Sequence, residues 1–110
     1  MAVPVQKEQR RSRRFQTKSL PGALIDPEQR VLQCRPLDLS WEGLSIVSHT
    51  LLTVGMRLQL RTHKDSITLE VLWQKSDFGK RSLYRYGLKV VDPAVDLEMI
   101  FRDARCIKED

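Results

Sequence analysis

Short apolar stretches separated by turn signals at intervals of roughly 8–12 residues run from Phe15 to Val91, the rhythm of an all-β sandwich or barrel. Pro21-Gly22 and Asp26-Pro27 punctuate the first part. Residues 30–35 and 44–48 read as strands, and the segment 36–43 between them reads as a tight loop. Leu58 and Leu60 alternate with Arg57, Gln59 and Arg61, the period-two signature of a strand with one buried face. In the next strand Ile67, Leu69, Val71 and Trp73 share a face, with Thr68, Glu70 and Gln74 mostly on the other, so Trp73 is read as part of the core. A loop containing Asp77 and Gly79 leads to a last strand over 83–91, in which Gly87 marks a bulge or a close backbone approach.

The period then changes. Asp92 is a helix N-cap residue and Pro93 suits the first helical position, after which Leu97, Ile100, Phe101, Ala104 and Ile107 recur at three- and four-residue steps. Asp96 and Glu98 early, with Arg102, Arg105 and Lys108 late, complement a helix dipole. The spacing predicts one C-terminal helix, about 93–108, lying with its apolar stripe on a β-barrel over about 15–91.

With 110 residues the chain holds one domain, and no internal repeat is visible. It contains no apolar run suited to a signal peptide or a membrane span, so a soluble, cytoplasmic protein is expected. Cys34 and Cys106 stand far apart with no Cys-x-x-Cys spacing, which indicates neither a zinc site nor a disulfide framework; both read as buried thiols. The formal net charge of +5 is concentrated: residues 1–19 carry Lys7, Arg10, Arg11, Arg13, Arg14 and Lys18 against Glu8, and the remaining residues sum to zero. Such a distribution suits a flexible tail, 1–9, and a basic arm, 10–14, that grips an anion, rather than a whole face lying along a polyanion.

Two short patterns carry candidate chemistry. Arg10-x-x-x-Arg14 sits in the arm, and Asp38-Leu39-Ser40-Trp41-Glu42-Gly43 sits in the expected loop. Either alone reads as a solvated basic run or as a turn. Together, in this order and followed by Tyr86-Gly87-Leu88-Lys89-Val90 before a terminal helix, they resemble the PilZ domain family over 10–110. The resemblance implies a six-stranded antiparallel β-barrel and a non-enzymatic receptor whose arginine arm closes over the bacterial second messenger cyclic di-GMP. Carried over residue by residue, it assigns ligand binding to Arg10, Arg14, Asp38, Ser40 and Gly43.

The chemistry agrees. A planar guanidinium meets guanine O6 and N7, or phosphodiester oxygens, with paired hydrogen bonds. A carboxylate such as Asp38 accepts from guanine's ring and exocyclic N–H groups, a donor pair that adenine lacks. Ser40 can donate or accept, and Gly43 lets the backbone turn tightly. Arg11 and Arg13 are either auxiliary phosphate contacts or solvated; Trp41 either stacks on a base or caps the barrel. Gln9 replaces the additional basic residue found in relatives that bind two ligands, which favours one. His49 and His63 lack a catalytic or metal-binding constellation, and no nucleophile–base pair or metal set can be assembled, so no enzyme, metal or cofactor beyond the ligand is expected. The outputs implied by the resemblance span motility, pilus assembly, polysaccharide synthesis and chemotaxis. A chain without a fused effector domain is therefore expected to signal through a protein partner. The alternative is a small basic barrel that binds RNA or single-stranded DNA, but its aromatic residues, 6% of the chain, are scattered rather than arrayed for base stacking.

Overall fold

The computed structural model describes residues 13–76 and 82–108. The tail 1–9, Arg10 and Arg11 of the arm, and the loop at Asp77 and Gly79 lie outside the described residues. The alternating segments form the strands expected of them. Among the described residues seven strands, β1 (Phe15–Gln16), β2 (Ala23–Ile25), β3 (Cys34–Leu39), β4 (Gly43–Ser48), β5 (Arg57–Arg61), β6 (Ser66–Ser76) and β7 (Tyr84–Val90), precede one helix, α1 (Leu97–Asp103). They form one antiparallel sheet in the order β1-β3-β4-β7-β6-β5-β2, curled into a half-barrel around the core. The described residues hold seven strands rather than six, and β1, which follows the arm, is a two-residue strand on β3.

The core follows from the pattern. Leu58 and Leu60 of β5 and Leu69 and Val71 of β6 are fully buried, while Arg57 and Arg61 face outward. Tyr86 is enclosed as well. Its hydroxyl donates to Thr50 O at 2.8 Å and accepts from Leu52 N at 2.9 Å, so a polar atom inside the barrel keeps its partners. Burial raises the pKa of this phenol.

Three boundaries depart from the sequence reading. β3 begins later than expected and extends through Leu39, so Asp38 stands on a strand and the connection to β4 is only Ser40-Trp41-Glu42. The register shift between Pro36 and Asp38 accommodates this: Pro36 has no N–H for a ladder and sits beside a bulge. The helix starts at Leu97 with Asp96 as its N-cap, whose carboxylate accepts from Met99 N at 3.1 Å. Asp92 instead closes a preceding turn, accepting from Ala94 N at 2.9 Å through its side chain and from Val95 N at 3.1 Å through its carbonyl. The helix also ends early. Arg105 takes φ +59, with Arg105 N donating to Arg102 O at 3.0 Å and Cys106 N to Phe101 O at 2.8 Å, the paired bonds of a Schellman cap. Leu97 and Phe101 are fully buried, but Ile107 reaches the core from beyond the helix, bridged to Thr17. Cys106 is buried and Cys34 partly buried, both as free thiols.

Candidate functional site

The Asp38–Gly43 motif is built on the β3–β4 connection, held from three sides. Ser40 N donates to Gly43 O at 2.8 Å, closing the turn. Val90 N donates to Glu42 O at 2.9 Å, tying it to the end of β7, and Leu97 N donates to Trp41 O at 2.8 Å, tying it to the start of α1. Ser40 is 2% exposed. Gly43 is needed for a reason other than turn conformation: its φ is not in the left-handed region, but a Cβ there would lie 3.1 Å from Leu88 O of the neighbouring strand. The close approach of β7 therefore disfavours a side chain.

Asp38 meets the arm. Arg14 Nε donates to Asp38 Oδ1 at 2.8 Å, Arg14 Nη2 lies 2.7 Å from the same oxygen, and Nη2 also donates to Ser45 Oγ at 3.3 Å. The two side chains are 42% and 40% exposed, so this pair contributes no more than about 1 kcal/mol and is easily exchanged for other partners. The two neighbouring arginines diverge here. Arg14 points toward Asp38, whereas Arg13 lies on the other side with its guanidinium 5.2 Å from the Phe15 ring centroid.

Arg14, Asp38, Ser40, Gly43 and Ser45 line one side of an open groove of about 540 Å³, within the range of roughly 300–1,000 Å³ usual for small-molecule sites. The opposite side comes from β6 and β7: Trp73, Arg85 and Lys89. Trp73 is not core. A register shift between Val71 and Trp73 inserts Leu72 as an extra residue, so Trp73 turns outward, 39% exposed. Its indole lies against the backbone of Gly87, where a Cβ would sit only 2.1 Å from Nε1. Gly87 thus marks the close approach that its position in a strand suggests. The Lys75 ammonium lies 5.5 Å from the same ring.

Of the residues singled out from sequence, Arg14, Asp38, Ser40 and Gly43 converge on this groove, and Arg10 and Arg11 lie outside the described residues. Arg13 and Trp41 do not line it: Arg13 packs on Phe15, and Trp41 holds the start of the helix through its carbonyl. Trp73, read as core in preference to a ligand contact, lines the groove, and Ser45, Arg85 and Lys89 were missed. For Arg85 and Lys89 a signal existed, because they alternate with Gly87 on β7 and so share the face that Gly87 leaves open. His49 and His63 are exposed. Among the described residues no three His, Cys, Asp or Glu side chains are grouped to hold a metal, and no helix is long and apolar enough to cross a membrane.

A family model described as PilZ domain matches residues 8–103, spanning both the arm and the loop motif. No curated protein and no solved structure gave a match.

Proposed function

Because the chain belongs to the PilZ domain family, a family of cyclic di-GMP receptors, we propose that it binds cyclic di-GMP in the groove between Arg14, Asp38 and Trp73 and signals to a protein partner. PilZ domains are binding domains rather than enzymes. The observation that carries the reading is the convergence of Arg14, Asp38, Ser40 and Gly43 from two distant segments on one groove, with the cations Arg85 and Lys89 across it.

The roles follow from donor and acceptor inventories. Asp38 accepts from the guanine N1–H and exocyclic N–H; Arg14 meets it at Oδ1, and Oδ2 serves as the second acceptor. Arg14 turns its guanidinium from Asp38 to guanine O6 and N7 or to a phosphate, replacing an exposed ion pair with charge-assisted bonds of roughly 1.5–3 kcal/mol. Ser40 bonds the base or phosphate. Trp73 offers an exposed ring for stacking, and Lys75, held over it by a contact of roughly 0.5–1 kcal/mol, gives way to the base. Arg85 and Lys89 answer the phosphate charge. Arg10 and Arg11 close over the ligand from the arm, which orders on binding.

Calorimetric titration of Arg14→Ala and Asp38→Ala tests the assignment. Each loses about ten- to over a hundred-fold in affinity for cyclic di-GMP while keeping its thermal unfolding transition. Wild-type affinity in both variants would sink it.

A further inference from the structure

A second cluster of cations lies beside the arm but does not line the groove. Lys18, Arg102 and Arg105 surround a small cleft of about 170 Å³ with Ile107 at its base. Among the described residues no acidic one lines it. The backbone holds these like charges together: Lys18 N donates to Cys106 O at 2.6 Å, Lys108 N donates to Gln16 O at 2.8 Å, and Thr17 is bridged to Ile107. Arg102 is fixed further by Glu98 Oε2 at 3.2 Å and by the Phe15 ring, 5.1 Å from its guanidinium carbon.

Arg105 adds an independent observation. It occupies the left-handed position of the Schellman cap, φ +59, where glycine is unstrained and an L side chain is not. The fold tolerates that cost and sends an exposed guanidinium into the cleft. An observed backbone outlier of this kind is grounds for asking what the side chain is for. Met99, one turn before Arg102 on the helix, is 60% exposed and sets an apolar spot beside the cations.

We propose that the cleft of Lys18, Arg102 and Arg105 docks a partner protein through a segment that combines Glu or Asp side chains with an aliphatic residue. Charge complementarity supplies the first requirement, and the exposed Met99 supplies the second. The cleft is smaller than the roughly 300 Å³ at which small-molecule sites begin, which suits one or two carboxylate side chains and not a nucleotide. Among the described residues no aromatic side chain lines it for base stacking, which favours protein over RNA. This docking is independent of the cyclic di-GMP site, so either assignment can fail alone.

The test is fluorescence anisotropy on the full chain with a labelled peptide, Glu-Glu-Leu-Glu-Asp-Leu-Glu-Glu, without cyclic di-GMP. Controls are the same peptide with Lys in place of every acid and an oligouridine of equal length. The acidic peptide binds and the basic one does not. Arg105→Gly weakens peptide binding at least tenfold while raising the unfolding temperature by a few degrees, because glycine relieves the left-handed position; Lys18→Gln weakens binding similarly. Arg57→Ala removes one positive charge elsewhere, on β5 opposite Glu70, and changes affinity less than twofold. Absence of peptide binding, tighter oligouridine binding, or undiminished affinity in Arg105→Gly each overturns the proposal.

Discussion

Replacing Gly87 by alanine isolates the wall of the groove that the sequence motifs do not include. The backbone at Gly87 is not left-handed, so alanine is conformationally allowed, and the effect is purely steric. The new Cβ would lie 2.1 Å from Trp73 Nε1, 2.2 Å from Cε2 and 2.7 Å from Cδ1, all far inside contact distance. The indole must therefore leave its seat. Overpacking in a closed core costs roughly 1–3 kcal/mol, but this ring is 39% exposed and can swing into solvent, so the cost lies near the lower end, about 1 kcal/mol. For a domain of this size that lowers Tm by about 4–8 °C, leaving the protein folded. Binding suffers more. Base–aromatic stacking is worth roughly 1–3 kcal/mol, so the loss of a positioned Trp73 weakens cyclic di-GMP binding from about fivefold to over a hundredfold. Calorimetry gives the affinity, and the Trp73 indole N–H signal in a proton–nitrogen spectrum reports whether the ring has moved. If that signal shifts while affinity stays at the wild-type value, Trp73 is not part of the ligand site.

Asp96→Ala removes the side-chain cap of α1 and costs about 1 kcal/mol by denaturant unfolding, whereas Asp92→Ala does not fray the helix; equal helix loss in amide exchange would contradict the boundary at Leu97. Burial pushes the Cys34 thiol up from 9.0 to about 11. Below pH 9 both folded and unfolded thiols are protonated; as pH rises toward 11 only the unfolded chain ionises, so stability falls by about 2–3 kcal/mol across that window. Cys34→Ala flattens this part of the stability profile, and an unchanged slope would assign it to other groups.

The alternation of Leu58 and Leu60, and of Ile67, Leu69 and Val71, is enough to place β5 and β6, because a strand with one buried face must repeat every second residue. The same rule misplaces Trp73. A bulge inserts one residue and reverses every later side chain, and nothing in the composition around Leu72 announces it. Gly87 was the visible trace of this event, on the partner strand. The loop motif was legible as a unit, but Asp38 itself belongs to β3, since Pro36 interrupts the ladder without ending the strand. Asp92 followed by Pro93 reads as the helix start and Asp96 as a first-turn charge, but Asp96 is the cap, and the tertiary bond from Leu97 N to Trp41 O goes with that later start. Arg13 and Arg14 are neighbours in a run of like residues. Their side chains nonetheless diverge, one to Asp38 and the other to Phe15.

Salt dependence combined with base selectivity separates a groove that takes a guanine dinucleotide from one that takes a nucleic-acid chain. Cyclic di-GMP carries two negative charges and condenses few counterions, so its affinity depends mainly on hydrogen bonds and stacking. Wild-type protein is titrated with cyclic di-GMP, cyclic di-AMP and a short single-stranded RNA at about 50 and about 200 mM salt. The expected outcome is preference for the guanine ligand and only a several-fold loss of affinity at the higher salt. A protein contacting six or more phosphates would instead lose roughly a thousand-fold or more. Tighter RNA binding that falls this steeply, with no preference for the guanine dinucleotide, would contradict the cyclic di-GMP assignment.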